Sequence, residues 1–469
     1  MDYKTTIGIE VHCELKTEEK IFSPSKSMYG SMANTNVNVI DFGYPGTLPL
    51  LNKEVLEYAI KACKVLNLNI TRDMHFDRKN YFYPDNPKNF QITQERTPIG
   101  RDGYVEIEID GKKKKIEILE MHIEEDTCKS VHSEKISLLD FNRAGVPLIE
   151  IVTKPCMNTS EEAVLYLEKL RELLLYAEVS DCKIEEGSMR CDTNVSVSKN
   201  EKLGTKIEVK NIGSISNVGE AIKYEAKRQI ELLEKGEILH EETRRYDDKE
   251  HKTVLLRVKE TGNDYRYFPE PDIPFVHLTD EFIEKSLSTL LRMPDERRRK
   301  YQEAGILPIN IEKIIANKDL SDYLEKFYDI NLVIASNLLL GDIMAYLNKN
   351  NVSITDTKLT DDKFRSLVNK LDKGEISNKI FKEILVDIME EDKDIDTILN
   401  EKGLNLVNDD NLIIEIIHKV LEENTDLYNQ YKSGNTKSAK ALMGLVMKEA
   451  KGKINPSSAN IKLMEELNK

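Results

Sequence analysis

Four stretches of the chain alternate apolar and polar residues with a period of two, the pattern of a strand with one buried face. In TIGIEVHCEL, Ile7, Ile9 and Val11 point one way, and Gly8, Glu10, His12 and Glu14 point the other. In ILEMHIEED, Met121 and Ile123 oppose His122 and Glu124, with Glu125 and Asp126 following. In GSMRCDTNVSVS, Met189, Cys191, Thr193 and Val195 oppose Arg190, Asp192, Asn194 and Ser196. In GTKIEVKNI, Ile207 and Val209 oppose Lys206, Glu208 and Lys210. Three helical segments are interspersed: KEVLEYAIKACKVLNL after Asn52, SEEAVLYLEKLRELLLYA after Thr159, and NVGEAIKYEAKRQIELLEKG. In the second, Ser160 is the expected N-cap, ahead of Glu161 and Glu162. From Arg292-Met293-Pro294 onward the strand signals stop and the pattern turns helical, as in NLVIASNLLLGDIMAYLNKN and NLIIEIIHKVLEEN. The expected fold class is α+β, with a largely antiparallel N-terminal sheet followed by helices.

If the four strands share a sheet, its polar face carries Glu10, His12, Glu124 or Glu125, Asp192 and Glu208. Glu10 and His12 then stand roughly 7 Å apart along one strand. Carboxylates with one imidazole and no thiolate favour Mg²⁺ over Zn²⁺. Interleaved Arg and Lys are what a polyphosphate needs beside such a cation, and Lys79, Arg190 and Lys210 are the choices for binding phosphate on chemical grounds. An ordinary antiparallel sheet with a solvated face shows the same alternation. The loops Asp77–Gln94, Asp140–Val152 and Asp264–Asp272 are dense in aromatic, proline and charged residues, which fits rigid functional loops and equally fits well-packed structural ones.

Composition narrows the classes. The chain has 469 residues, 40% hydrophobic and 32% charged, a globular balance with room for two to four domains. No basic-then-apolar leader and no run of about 18 apolar residues is visible. Six scattered cysteines without a CxxC pair suit a reducing cytoplasm. There is no GxxxxGK[ST], no GxGxxG after a strand, no GxSxG and no HExxH. The net charge of −15 argues against a nucleic-acid binder unless the binding surface is local. One local patch exists: between Tyr431 and Lys453, Lys432, Lys437, Lys440, Lys448, Lys451 and Lys453 face Glu449 alone, a charge of +5. It reads either as a solvated amphipathic helix or as a phosphate-binding surface.

GIEVHCEL, FDRKNYFYPDNPKNFQITQ, HIEEDTCKSVH, LDFNRAGVPLIEIV, EEGSMRCDTNVSV, EVKNIGSISNV and VKETGNDYRYFPEPD resemble, in order, the signature blocks of the B subunits of the GatCAB tRNA-dependent amidotransferases. SAKALMGLVMKEAKGKINP resembles the family's tail, so the likeness spans the chain. The resemblance implies a cradle domain at 1–294, a helical domain at 295–400 and a tRNA-binding tail at 401–469. It implies ATP-dependent phosphorylation of the side-chain carboxylate of Glu-tRNA(Gln), Asp-tRNA(Asn) or both, followed by amidation. The ammonia would come from glutamine through an amidase A subunit, with a small C subunit bracing the pair. It also implies a metal site at Glu10, His12, Glu125, Asp192 and Glu208, with Glu124 an adjacent candidate. Glu10, His12, Glu125, Lys79 and Arg190 are the expected catalytic residues. The residues expected to bind tRNA are Lys437, Lys440, Lys448, Lys451 and Lys453.

There are departures. Many members carry Ala-Gly where Thr127-Cys128 stands, and Asn-Leu-Asn-Ser where Asn211-Ile212-Gly213-Ser214 stands. Some hold zinc on four cysteines between the first strand and the PGTLP segment. This chain has none there, so no zinc is expected. Two competing readings are a tRNA-binding scaffold with its catalytic centre in a partner, and an Mg²⁺-dependent ligase for a small carboxylic acid. The first predicts polar strand faces that do not converge. The second has no need of the basic tail.

Overall fold

The computed structural model describes residues 3–133, 135–258, 265–404, 410–450 and 454–469. The chain divides into two units, Met1–Pro294 and Asp295–Lys469.

The first unit is built on a nine-stranded sheet. Its strands, in chain order, are β1 (Lys4–Glu14), β2 (Asn69–Ile70), β3 (Gly100–Ile109), β4 (Lys112–Glu125), β5 (Pro147–Thr153), β6 (Met189–Ser198), β7 (Ile207–Lys210), β8 (Glu242–Asp247) and β9 (Lys252–Val258). Across the sheet they run β9-β8-β7-β6-β1-β5-β4-β3-β2. Every pairing is antiparallel except β7 with β8. The most alternating strand, β1, lies at the centre, where both of its edges are hydrogen-bonded. The register sets His12 opposite Glu150 on β5 and Arg190 on β6, and Glu10 opposite Val152 and Asp192.

Three helices, α1 (Lys53–Val65), α2 (Ser160–Tyr176) and α3 (Ile215–Glu234), supply the apolar partners of this sheet. Helix α2 packs on β3, α3 packs on β6, and the two helices pack on each other. Ile7, Ile9, Val11, Ile149, Ile151, Val195 and Val209 are buried in the resulting core. Glycine at 103 lets α1 close down on β3, because a Cβ there would stand 2.5 Å from the Leu66 carbonyl. The cap of α2 is Thr159 and not Ser160. Thr159 is extended (φ −128°, ψ 153°), and its hydroxyl accepts from the Glu162 amide at 3.1 Å. A β-branched residue holds that extended backbone readily, so Ser160 becomes the first helical position.

Smaller sheets gather the loops. Asp77–Asn80 pairs with Phe90–Thr93 and with Phe268–Pro269, joining two of the aromatic-rich segments. The hairpin of Lys129–His132 with Ser137–Asp140 precedes the turn that carries Arg143. Gly145 makes this turn possible with φ +84°, and its amide donates to the Asp126 carbonyl at 2.9 Å.

The second unit is helical. The stretch from Asn331 to Asn350, which reads as one helix, is three pieces: Leu332–Leu338, a π-turn at Leu339–Ile343, and Met344–Asn350. Gly341 breaks the regular backbone there (φ −94°, ψ −111°). The helices Asp410–Glu423, Lys437–Glu449 and Pro456–Asn468 share a core of Ile413, Ile417, Leu442, Val446, Leu463 and Leu467. Lys451 and Lys453, and the stretches 259–264 and 405–409, lie outside the described residues. Among the described residues no helix is long and apolar enough to cross a membrane.

Candidate active site

The polar face of the central strands holds six metal-ligating side chains in two triplets: His12, Glu124 and Glu150, then Glu10, Asp192 and Glu208. Within each triplet one donor atom per residue lies within 4.8 Å of the others. Five strands contribute, because adjacent strands stand about 4.8 Å apart and same-phase residues on neighbours face each other.

In the first triplet, His12 Nε2 lies 3.7 Å from Glu124 Oε1 and 3.4 Å from Glu150 Oε2. His122 Nε2 braces both carboxylates, 2.9 Å from Glu150 and 3.7 Å from Glu124. Burial works against the imidazolium of His12, but Glu150 and then Glu124 outweigh it and leave its pKa above the usual value. At His122 burial is again outweighed, by Glu150 and Glu124, and the ring is pushed up to about 10. Burial acts to raise Glu150, yet His122 and His12 hold it well below the ordinary carboxylate range.

In the second triplet, Lys210 Nζ reaches Asp192 at 2.7 Å and Glu208 at 3.0 Å. Asn194 Nδ2 donates to Glu10 at 2.8 Å, and the Thr243 hydroxyl to Glu208 at 2.9 Å. Burial, with Glu150 and Glu208, raises the pKa of Glu10 despite Asn194 and Lys210. Three carboxylates against one ammonium leave this pocket short of positive charge. The buried Asn194 Oδ1 and His122 Nδ1 have no hydrogen-bond partner among the described residues. In the second triplet three oxygen donors and the charge deficit fit a divalent cation of the Mg²⁺ kind, whereas in the first His12 and His122 already balance Glu124 and Glu150, so a cation there would take the place of the proton on His12.

Glu10 and His12 share a strand face but belong to different triplets, and Glu125 belongs to neither. The structure therefore does not bring Glu10, His12 and Glu125 to one point. Successive residues of a strand point to opposite sides. Glu124 enters the first triplet, while Glu125 accepts from Lys88 Nζ at 2.5 Å and the Ile92 amide at 2.8 Å. Arg190 is held by buried Asp126 at 2.8 Å, which also pairs with Arg143 at 3.4 Å. Lys79 lies on the small sheet, with its ammonium 4.9 Å over the Tyr265 ring. Lys437, Lys440 and Lys448 are exposed on one helix, and Lys419 neutralises Glu449 at 2.5 Å. Glu150 was not among the expected residues. Its only signal is a lone charge in the apolar run Leu148-Ile149-Glu150-Ile151-Val152.

The cradle unit and the helical unit each match a known family profile. Residues 5–284 match the one described as the GatB/GatE catalytic domain, and residues 322–467 the one described as the GatB domain. The chain belongs to the GatB/GatE family. It is 44% identical over 475 residues to the B subunit of the aspartyl/glutamyl-tRNA(Asn/Gln) amidotransferase of Bacillus velezensis, with the whole of both chains covered. The B subunit of the same enzyme from Halalkalibacterium halodurans is 45% identical, again with both chains fully covered.

Proposed function

We propose that this chain is the carboxylate-activating subunit of a glutamine-hydrolysing aminoacyl-tRNA amidotransferase, a carbon–nitrogen ligase. Its reaction moves the γ-phosphoryl group of ATP onto the side-chain carboxylate of Glu-tRNA(Gln) or Asp-tRNA(Asn), releasing ADP. Ammonia then forms the new C–N bond as the acyl–phosphate bond breaks. The observation that carries this reading is the gathering of five carboxylates and one imidazole from five strands into two triplets on one face. A non-catalytic scaffold has no need of that gathering. A carboxylate is a poor acceptor for ammonia, and its activation asks for positioning and charge neutralisation more than for a protein nucleophile. Cys191 fits this, because burial raises its thiol well above the ordinary value on the apolar side of β6.

His12, Glu124 and Glu150 would hold one Mg²⁺, and Glu10, Asp192 and Glu208 a second. Bound Mg²⁺ supplies charge neutralisation for the polyphosphate and the transferred group. His122 keeps Glu124 and Glu150 oriented, as partners behind metal ligands do. Arg190, fixed by Asp126 and partly exposed, is placed to meet a phosphate. Lys210 is committed to Asp192 and Glu208, and contributes by limiting the negative charge around them. Lys79 remains a phosphate-binding residue in this reading, and the catalytic role expected of Glu125 becomes one of positioning, through Lys88 and the Ile92 amide. No zinc is included, since residues 21–49 contain no cysteine.

The ammonia comes from a partner amidase A subunit, and a small C subunit completes the heterotrimer in the cytoplasm. The helices from Asp410 onward form the tRNA-binding tail, within a domain taken as 401–469 after a helical domain at 295–400. Support comes from their separate core and exposed Lys437, Lys440 and Lys448. The test is His12→Ala in the assembled complex. ATP-dependent activation should fall by at least about 10- to 100-fold, the scale already typical of losing a partner behind a metal ligand, while tRNA affinity stays nearly unchanged. Undiminished activation would end the assignment of the site.

A further inference from the structure

The carboxylates on or beside the polar face are nearly all paired. Glu124 and Glu150 face His12 and His122, Asp192 and Glu208 face Lys210, and Glu10 accepts from Asn194. Glu125 is held by Lys88, and Asp126 by Arg143 and Arg190. Glu14 is different. Its amide donates to the Ser188 carbonyl at 2.8 Å, but its half-buried carboxylate has no hydrogen bond or ion pair among the described residues. It lies two residues beyond His12 on the same face of β1 and lines a cavity of about 560 Å³. The cavity is walled by the turn at residues 27–31, by Asn142 and Arg143, and by the turn at residues 184–188. Its volume is in the range of small-ligand sites.

We propose that Glu14 receives the α-ammonium of the aminoacyl group while the side-chain carboxylate of that group lies at the His12 triplet. This inference rests on the placement of activation at that triplet. The spacing fits: residues i and i+2 of a strand stand about 7 Å apart. The α-nitrogen and the side-chain carboxyl carbon of an extended glutamyl group are about 5 Å apart by standard bond lengths, the same scale as that separation. The charge fits as well. The nearby guanidiniums of Arg143 and Arg190 are engaged by Asp126, and Arg143 also donates to the Thr127 and Cys128 carbonyls at 3.0 and 3.1 Å. Asp126 is one carboxylate against two guanidiniums, so the negative charge that suits a cation comes from the cavity as a whole: its described lining carries five carboxylates, Glu14, Asp140, Asp181, Glu185 and Glu186, against three cations, and Glu14 is the one that shares the face of β1 with His12. An aminoacyl ester bears such a cation, and an uncharged tRNA does not. The subsite would therefore select acylated tRNA whose α-amino group is free.

The test uses the assembled complex and two substrates, Glu-tRNA and the same tRNA bearing the 2-hydroxy analogue of the glutamyl group. The analogue keeps the ester and the side-chain carboxylate and exchanges ammonium for hydroxyl. The wild-type complex should prefer Glu-tRNA in kcat/KM by about 10- to 100-fold, the range of a charge-assisted hydrogen bond. Glu14→Gln should bring that ratio close to unity, with the loss falling on Glu-tRNA. Glu14→Asp should retain part of the preference, which shows that the fold is intact. A ratio unchanged by Glu14→Gln, or equal losses on both substrates, overturns the inference. If His12→Ala still abolishes activation in that case, the proposed function stands without it. An active His12→Ala complex refutes the function itself.

Discussion

Replacing Glu150 with Gln should make the stability of the cation-free protein depend on pH in a different way, and the two stability curves should cross. His122 stands 2.9 Å from Glu150, and its pKa is pushed up to about 10 from the ordinary 6.5. A group raised in the folded state contributes stability that is complete below its unfolded pKa and is lost as pH rises through the folded value. The window therefore runs from about pH 6.5 to about pH 10. The full shift corresponds to about 5 kcal/mol at 1.36 kcal/mol per unit, a ceiling that Glu124 shares with Glu150. Glu150→Gln keeps the shape and the Glu124 contribution, so a loss of about 2–3 kcal/mol is expected at pH 6.5. Above pH 10 the wild-type protein holds a buried carboxylate beside neutral rings. Burial is the leading influence on that carboxylate. The Gln variant should there be equal or more stable, by about 1 kcal/mol. The chain has no tryptophan, so urea unfolding of the chelator-treated protein is best followed by circular dichroism at several pH values. A stability gap that stays constant from pH 6.5 to 10.5 would refute the pairing of Glu150 with a charged His122.

Two further outcomes are expected. Truncation after Asn400 should weaken tRNA binding and flatten its dependence on salt, by roughly 0.7–0.9 of a unit for each phosphate no longer neutralised. It should leave cation binding by the cradle unchanged, because Glu208 is the last of the six donors in the chain. Affinity titrations at several salt concentrations decide this, and equal slopes would place the tRNA elsewhere. Thr159→Ala should destabilise the cradle by about 1 kcal/mol in urea unfolding, and Ser160→Ala by clearly less, since only the Thr159 hydroxyl caps the helix.

Alternation alone determined a good deal. Apolar residues two apart in β1, β4, β6 and β7 fixed which side chains must share a face, because a strand cannot turn one residue over without turning all of them. His122 and Glu124 were legible on the polar phase of ILEMHIEED for that reason, and the change to helical spacing after Pro294 marked the helical unit. What alternation does not encode is which strands become neighbours. Residues 12, 124 and 150 meet because β5 inserts between β4 and β1, and its pairing with β1 reaches across more than a hundred residues, which no local pattern specifies. Glu150 sits in a segment whose dominant signal is apolar, so its place in a triplet depends wholly on the register with His12 and His122. The separation of Glu10 from His12 into two triplets has the same origin. Their side chains lean toward different neighbours, Glu10 toward Asp192 and Glu208, and His12 toward Glu124 and Glu150. Period-two patterning is a property of one strand and is written in its residues. A site that draws on five strands is a property of strand order and register, which only the assembled sheet decides.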